Sequence, residues 1–209
     1  MEMRIWDAPA SRESVERTIA ALKANGIEAS LAESRAEAGE KVLSLLPAGA
    51  EVLTMTSITL DQLGLVSQIN ESGKYNAVRP ALMGMDQKTQ GREMRKLGAA
   101  PDFTVGSAHA VTEDGFVMVA SMTGSQLPAY ASAAGTVIWV VGAQKIVKNV
   151  EEGMRRIHQY LIPKESQRAR KAYGLPESFS SFPNKILLFN REVQPGRVKL
   201  VIVNEVLGH

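Results

Sequence analysis

Hydroxyl and amide side chains interrupt the longest stretch of this chain that carries no charge. Residues 116–144 contain no Asp, Glu, Lys, Arg or His, although 22% of the chain is charged. Hydroxyl groups, helix-terminal backbone N–H groups and a lysine are donors that bind anions, and Gly lets a ligand approach the backbone. The residues that could hold an anion are Ser121, Thr123, Gly124, Ser125, Gln126, Gln144 and Lys145, the first charge after the stretch. The sequence therefore predicts a site for a small anionic ligand.

A second polar group follows residues 50–55, whose composition predicts a strand. Thr56 and Ser57 stand where that strand would lead into a helix, and the free N–H groups at such a point suit an anion. Thr59 and Gln62 have the spacing of a capping box that would begin the helix. We expect Thr56, Ser57 and Thr59 to add hydroxyl donors to the anion site; the alternative is that these hydroxyls only cap the helix.

Glu113 is the one carboxylate that we consider for acid/base or covalent catalysis. It precedes its predicted strand, so the side of the sheet on which it lies is open. The structural alternatives also stay open: Ser125 as a helix cap, Gln144 as a loop residue and Lys145 as a solvated cation. With only three histidines in the chain, we expect no metal site.

The elements that would position these residues are an alternation of helices and strands, which indicates an α/β fold. Residues 117–120 and 136–141 predict two strands joined by a short helix at 127–134. The continuous apolar, β-branched composition of 136–141 is typical of parallel strands buried on both faces. We therefore expect a βαβ unit. If the strands at 50–55 and 102–106 run the same way, Thr56-Ser57 and residues 107–109, Ser107 to His109, join the same edge. The loops at the C-terminal ends of such strands meet at one edge, where open α/β sheets bind ligands.

The two ends of the chain complete this fold. We expect one domain over residues 1–209, with residues 1–32 as a helical and strand extension packed on it. Residues 185–190 and 197–206 predict strands joined by a Pro-Gly turn, which we expect either to complete the sheet or to pair as a C-terminal hairpin at its edge. Lys88, Arg92 and Arg95 lie on one face of a predicted helix at 86–97, either as a surface for a partner or as a solvated face.

Composition excludes several classes of function. The chain has no Cys, so it has no disulfide, no thiolate metal site and no iron–sulfur cluster that its own thiolates could hold. A net charge of +2 gives no basis for nucleic-acid binding. The longest apolar run is too short for a membrane span, and the N-terminus lacks the apolar segment of a signal peptide. We expect a cytoplasmic protein without a covalently bound cofactor.

Several segments also resemble a known family. VGSAHAVTEDG at 105–115, ASMTGSQLPAYA at 120–131 and VIWVVGAQKIV at 137–147 are similar to the lactate-utilisation (LUD, formerly DUF162) family, and the likeness continues at 85–103 and 190–208. The resemblance implies a three-layer α/β/α fold with a mostly parallel sheet, as in CoA transferases and ribose phosphate isomerase. It also implies a role in oxidising lactate to pyruvate with separate iron–sulfur partner proteins.

Three functions remain open on the sequence alone. The first is a component of 2-hydroxy-acid oxidation that acts with separate redox partners. The second is an independent transferase or isomerase that acts on a phosphorylated or CoA-linked small acid. The third is a non-catalytic ligand-binding or regulatory module, and a homo-oligomer is compatible with all three.

Overall fold

A computed structural model describes residues 6–209 of the chain. The elements follow one another as α1 (Arg12–Ala24), β1 (Glu28–Ala32), α2 (Arg35–Ser44), β2 (Glu51–Thr54), α3 (Ile58–Gln62), α4 (Leu65–Asn70), β3 (Asn76–Ala77), α5 (Val78–Met83), α6 (Gln87–Ala99), β4 (Phe103–Gly106), β5 (Ala110–Thr112), β6 (Val117–Ser121), β7 (Thr136–Gly142), β8 (Ile146–Val147), α7 (Val150–Arg156), α8 (Ile162–Tyr173), β9 (Lys185–Phe189) and β10 (Val198–Val203). Short π-helical turns cover Ala129–Ala133 and Ile157–Leu161, and a 3₁₀ turn covers Ala143–Lys145.

The central sheet has six parallel strands in the order β1-β10-β7-β4-β2-β3. Strand β7 lies near its middle because its residues are apolar on both faces. Trp139 packs on one side in a cluster with Val15 and Leu22 of α1, while Ile138 and Val140 pack on the other side under α2–α4. Strands β2, β4 and β7 run parallel, which is the arrangement that brings Thr56-Ser57 and residues 107–109 to the same edge.

The second sheet has four strands in the order β8-β5-β6-β9, and it corrects the predicted βαβ unit. Strand β6 does not join β7; it pairs antiparallel with β5 and β9. Its apolar run is continuous because Val117 and Val119 face the Trp139 cluster, whereas Met118 and Ala120 face Ile157 on the far side. Strand β6 is therefore buried on both faces, but it belongs to the four-stranded sheet and not to the sheet of β7.

The two C-terminal strands do not form the predicted hairpin, although β10 completes the central sheet as the other expectation had it. Strand β9 pairs antiparallel with β6 in the small sheet, and β10 inserts between β1 and β7 in the central sheet. The Pro195-Gly196 segment therefore belongs to a crossover between the two sheets. The physical reason is burial: residues 200–203 are all buried, a pattern that requires cover on both faces rather than a position in an edge hairpin.

The molecule thus has three layers, with α2–α4 on one face of the central sheet and α1 with the second sheet on the other. Strand β1 forms an edge of the central sheet, so residues 28–32 are integral to the fold rather than an added extension. Within residues 6–209 we find no helix whose length and apolar character would allow it to cross a membrane.

Two local predictions can be compared with helices near the site. Helix α3 begins at Ser57, whose hydroxyl accepts from the Leu60 N–H, so the predicted Thr59–Gln62 capping box is wrong. Helix α6 forms as predicted, with Asp86 as its N-cap and a kink at Gln90. Lys88, Arg92 and Arg95 are exposed on it.

Candidate functional site

A cavity of about 650 Å³ lies at the C-terminal ends of strands β2, β4 and β7. This is the edge at which open α/β sheets bind ligands. The strand ends form its floor, the loop after β6 forms one wall, and α8 with the following segment forms another. The loops that the sequence predicted to converge are therefore neighbours in space, even though β6 belongs to the other sheet.

Lys145 lies in the floor of this cavity and is only 3% exposed. Its Nζ is 3.1 Å from Thr59 Oγ1 and 3.1 Å from Ser107 Oγ. No carboxylate within residues 6–209 lies within ion-pair distance of it. Because burial disfavours the ammonium form, and the nearby Arg156 charge adds to this, the pKa of Lys145 falls well below its usual 10.5.

His109 follows β4 and lies in the same cavity wall. Its Nδ1 accepts a hydrogen bond from the Ala120 backbone N–H at 3.0 Å, so Nε2 carries the proton of the neutral ring. Burial, with further contributions from Lys145, Arg156 and His209, lowers the pKa of His109 to about 3. At neutral pH this side chain is therefore a hydrogen-bond donor through Nε2–H, and it does not act as a cation.

The loop after β6 is held together by its own hydroxyls. Ser121 Oγ accepts from the Gly124 N–H at 2.8 Å and donates to Gln126 Oε1 at 2.9 Å, and Thr123 Oγ1 accepts from the Ser125 N–H at 3.3 Å. Ser121, Thr123, Ser125 and Gln126 line the cavity. Gly124 has a φ of +85°, which side-chain-bearing residues rarely adopt, and a Cβ there would meet the Lys185 side chain.

Arg79 of α5 brings a charge to the cavity that the sequence did not single out. Its guanidinium donates to the Thr54 carbonyl at 3.1 Å and to Thr56 Oγ1 at 2.7 Å. Among the ion pairs formed within residues 6–209, none involves Arg79. Thr56 and Ser57 also line the cavity, but Thr56 holds Arg79 and Ser57 caps α3.

Gln144 is not part of the cavity lining. Its side chain is 2% exposed and bonds the backbone of Leu207, donating to the carbonyl at 2.7 Å and accepting from the N–H at 3.3 Å. This contact fixes the segment after β10 against the end of β7. Gln144 thereby supports the turn that carries Lys145, and the predicted direct contact with a ligand does not follow from this geometry.

Glu113 lies in the β5–β6 turn, away from the cavity lining. Its carboxylate accepts from the Ser14 hydroxyl and pairs with Arg17 at 2.9 Å. It therefore links this turn to α1. The carboxylates that do line the cavity are Asp61 and Glu165, and Glu165 is engaged by Arg168 through two bonds of 2.7 Å.

Sequence reasoning placed Thr59 and Ser107 at this edge of the sheet, and both line the cavity. It missed Arg79 and Tyr130. Tyr130 is buried, and its hydroxyl fills the space that a side chain at Gly106 would need. Arg79 had no signal in the sequence, because it lies on a short helix whose position depends on the tertiary fold.

Comparison with known proteins agrees with this architecture. The family described as "LUD domain" matches residues 15–203. No curated protein matches the sequence. The crystal structure at 1.70 Å of a DUF162 family protein from Deinococcus radiodurans is similar, with a TM-score of 0.57 and 15% identity, over 94% of this chain and 100% of that chain. At this identity the likeness concerns the fold. Because the family match spans most of its length, the chain belongs to the LUD domain family.

Proposed function

We propose that this chain is a cytoplasmic component of 2-hydroxy-acid oxidation, lactate to pyruvate, and that its cavity binds the small carboxylate. The observation that carries the proposal is that Arg79, which forms no ion pair within residues 6–209, lines the same cavity as the buried amine of Lys145. The Arg79 guanidinium is half-buried and uncompensated, and such a cation favours an anionic ligand. Membership of the LUD domain family supports the link to lactate.

The donors around the cavity suit a 2-hydroxy or 2-oxo acid. A guanidinium such as that of Arg79 can bind a carboxylate through two parallel N–H bonds. The Nε2–H of His109 and the hydroxyls of Ser107 and Thr59 could then bind the oxygen on the second carbon. We assign the carboxylate to Arg79 because arginine keeps its charge, whereas burial disfavours the charge on Lys145.

The electrons of the reaction would leave through another protein. Oxidation of a 2-hydroxy acid releases electrons to an acceptor, and this chain has no Cys that could ligate an iron–sulfur cluster. We therefore propose separate iron–sulfur partner proteins, with this chain contributing the ligand site.

Calorimetric titration with lactate and pyruvate tests the site. Arg79→Gln should weaken binding by about 10- to 100-fold, the value of a charge-assisted bond of roughly 1.5–3 kcal/mol. Arg92→Gln removes an exposed arginine of α6 and serves as the matched control, with unchanged affinity. Absence of binding to the unmodified chain would refute the proposed site. Unimpaired growth on lactate after deletion of the gene would refute the proposed role.

A second candidate has one observation in its favour. The cavity volume of about 650 Å³ lies within the range of about 300–1,000 Å³ that holds drug-sized ligands, and a three-carbon acid would fill only part of it. A transferase or isomerase that takes a phosphorylated or CoA-linked acid would use the additional space. Titration with phosphosugars and CoA esters distinguishes the two: tighter binding of these than of pyruvate selects the second candidate.

A further inference from the structure

We infer that Lys145 is an amine nucleophile that forms a Schiff base with the keto group of a 2-oxo acid bound in the cavity. The inference rests on the proposed function, because it takes the same cavity and the oxidised acid as ligand. It adds a covalent role, a substrate class and a reacting atom to that site. The nearest precedent in general chemistry is the desolvated lysine, which becomes nucleophilic when burial removes its proton.

The hydrogen bonds of Lys145 leave room for this reaction. Its Nζ has two hydroxyl neighbours at 3.1 Å, Thr59 and Ser107. A neutral amine can donate one N–H to each, and its lone pair then occupies the fourth tetrahedral position. No other hydrogen bond within residues 6–209 reaches this nitrogen, and the residue lines the cavity in which the ligand would lie.

The surroundings disfavour the charged form of the amine. Lys145 has no carboxylate partner in the described part of the chain, and Arg156 nearby carries a charge of the same sign. Arg156 is itself fixed by a bond of 2.6 Å from its guanidinium to the His109 carbonyl. An ammonium group here would be buried without a carboxylate partner among residues 6–209, and the lowered pKa of Lys145 agrees with this geometry.

The hydroxyls of Thr59 and Ser107 are anchored and so hold the nitrogen in place. Thr59 Oγ1 lies 3.4 Å from the Leu207 carbonyl and 3.4 Å from Ser107 Oγ. A Cβ at Gly208 would come within 2.4 Å of Thr59 Oγ1, so the segment after β10 packs tightly against this hydroxyl. The reacting nitrogen is therefore positioned by elements from three strand ends.

The step balances without an oxidant. The nitrogen lone pair attacks the keto carbon, a C–N bond forms, and the carbonyl electron pair moves to oxygen. A proton passes from nitrogen to that oxygen through the Ser107 hydroxyl, giving a carbinolamine. Loss of the hydroxyl group with the second N–H proton, as water, gives the imine. Lysine and 2-oxo acid are the only reactants, and imine and water are the products.

Borohydride trapping tests the inference. The full-length chain is incubated with pyruvate and sodium borohydride, and the product is measured by intact mass and peptide mapping. We expect one carboxyethyl group per chain on Lys145, and at least a tenfold lower yield for Lys145→Arg. Lys148→Arg, which changes an exposed lysine three residues away, should label as the unmodified chain does.

The outcomes separate this inference from the proposed function. If calorimetry shows that pyruvate binds but trapping labels other lysines or none, the covalent role is overturned and the proposed site stands. If pyruvate neither binds nor labels, both fail. Mapping on the unmodified chain decides the result even if a variant does not fold, because the labelled residue is identified directly.

Discussion

The side-chain nitrogen of Lys145 lies 3.1 Å from the hydroxyl oxygen of Ser107, although 38 residues separate the two. They meet because β4 and β7 are parallel neighbours, with Gly106 opposite Trp139, so the loops after both strands leave the sheet at the same edge. Thr59, which follows the end of β2, completes the group at 3.1 Å from the same nitrogen. Three hydrogen-bonding groups from three chain segments thus surround one point of the cavity.

Replacing Lys145 with methionine should stabilise the fold at neutral pH. Its pKa is lower in the folded chain than the usual 10.5. Below pH 10.5 the lysine binds a proton in the unfolded chain that the folded site disfavours, so folding carries a free-energy cost. This cost grows as the pH falls towards the pKa of Lys145 in the folded chain. Lys145→Met removes this cost, and we expect a gain of about 1 kcal/mol, or ~2–4 °C in Tm, at pH 7.

The pH dependence of that gain is the check. Thermal unfolding at pH 7 and pH 10 should show a smaller advantage for Lys145→Met at pH 10, because fewer protons bind to lysine in the unfolded chain. An advantage that is equal at both pH values, or a loss of stability at pH 7, would contradict the buried neutral amine.

His109 should make the fold sensitive to acid. Its pKa is about 3 in the folded chain and 6.5 when unperturbed, so only the unfolded chain takes up this proton between those values. The contribution of His109 to the free energy of unfolding has its full value above pH 6.5. It falls by about 1.4 kcal/mol for each pH unit below that value. His109→Asn keeps an acceptor for the Ala120 N–H and should flatten this slope.

Urea unfolding of both chains from pH 4 to pH 7.5 measures the difference. At pH 7.5 the imidazole is neutral in both states, so the difference there gives the cost of the substitution apart from its charge. If the difference between the two chains does not change with pH, His109 does not titrate as its burial requires.

Gly106 should tolerate no side chain. A Cβ at this position would lie 1.8 Å from the Tyr130 hydroxyl and 2.9 Å from the ring carbon that carries it. We expect Gly106→Ala to cost about 1–3 kcal/mol, as overpacking of a core does. Tyr130→Phe removes the nearer atom, so the double variant should recover part of the loss.

Gly39 is the matched control for this prediction. It lies in α2, and a Cβ there would meet only the Leu63 carbonyl at 3.8 Å, an ordinary contact. Gly39→Ala should therefore stabilise the chain, by up to about 1 kcal/mol from helix propensity. Chemical denaturation of the four variants gives the comparison, and equal effects at Gly39 and Gly106 would refute the close approach.

Arg197 should be a major contributor to stability. Its guanidinium bonds the Ala134 carbonyl at 3.2 Å and the Tyr130 carbonyl at 3.1 Å, and it pairs with Glu192; the side chains of the pair are 4% and 8% exposed. Arg197→Met would leave a buried carboxylate without its partner, at a cost of about 3–5 kcal/mol.

A second ion pair provides the comparison for Arg197. Lys199 and Glu28 are joined in the same sheet but are 21% and 58% exposed, so Lys199→Met should cost less than about 1 kcal/mol. Adding Glu192→Gln to Arg197→Met should recover part of the loss. Unfolding midpoints in guanidinium measure all three, and a similar cost for Arg197→Met and Lys199→Met would contradict the role of burial.

The sequence indicated the edge of the sheet where the candidate cavity lies, but it did not predict the topology around that edge. The end of β7 could be located because its apolar run stops at Gln144 and Lys145, and parallel strands end at one edge. Strand β6 was assigned to the wrong sheet because burial on both faces looks the same under either sheet. The role of Gln144 could not be predicted from nearby sequence, because its side chain bonds the backbone of Leu207. The position of Arg79 could not be predicted either, because it depends on how α5 packs on β2.

A crystal structure of the chain soaked with pyruvate would test the central claim most directly. We expect density for the acid in the cavity at the ends of β2, β4 and β7, with its carboxylate on the Arg79 guanidinium and its second carbon beside Lys145 Nζ. Density for the acid only elsewhere on the molecule, or an unchanged cavity at a concentration that saturates binding in solution, would contradict it.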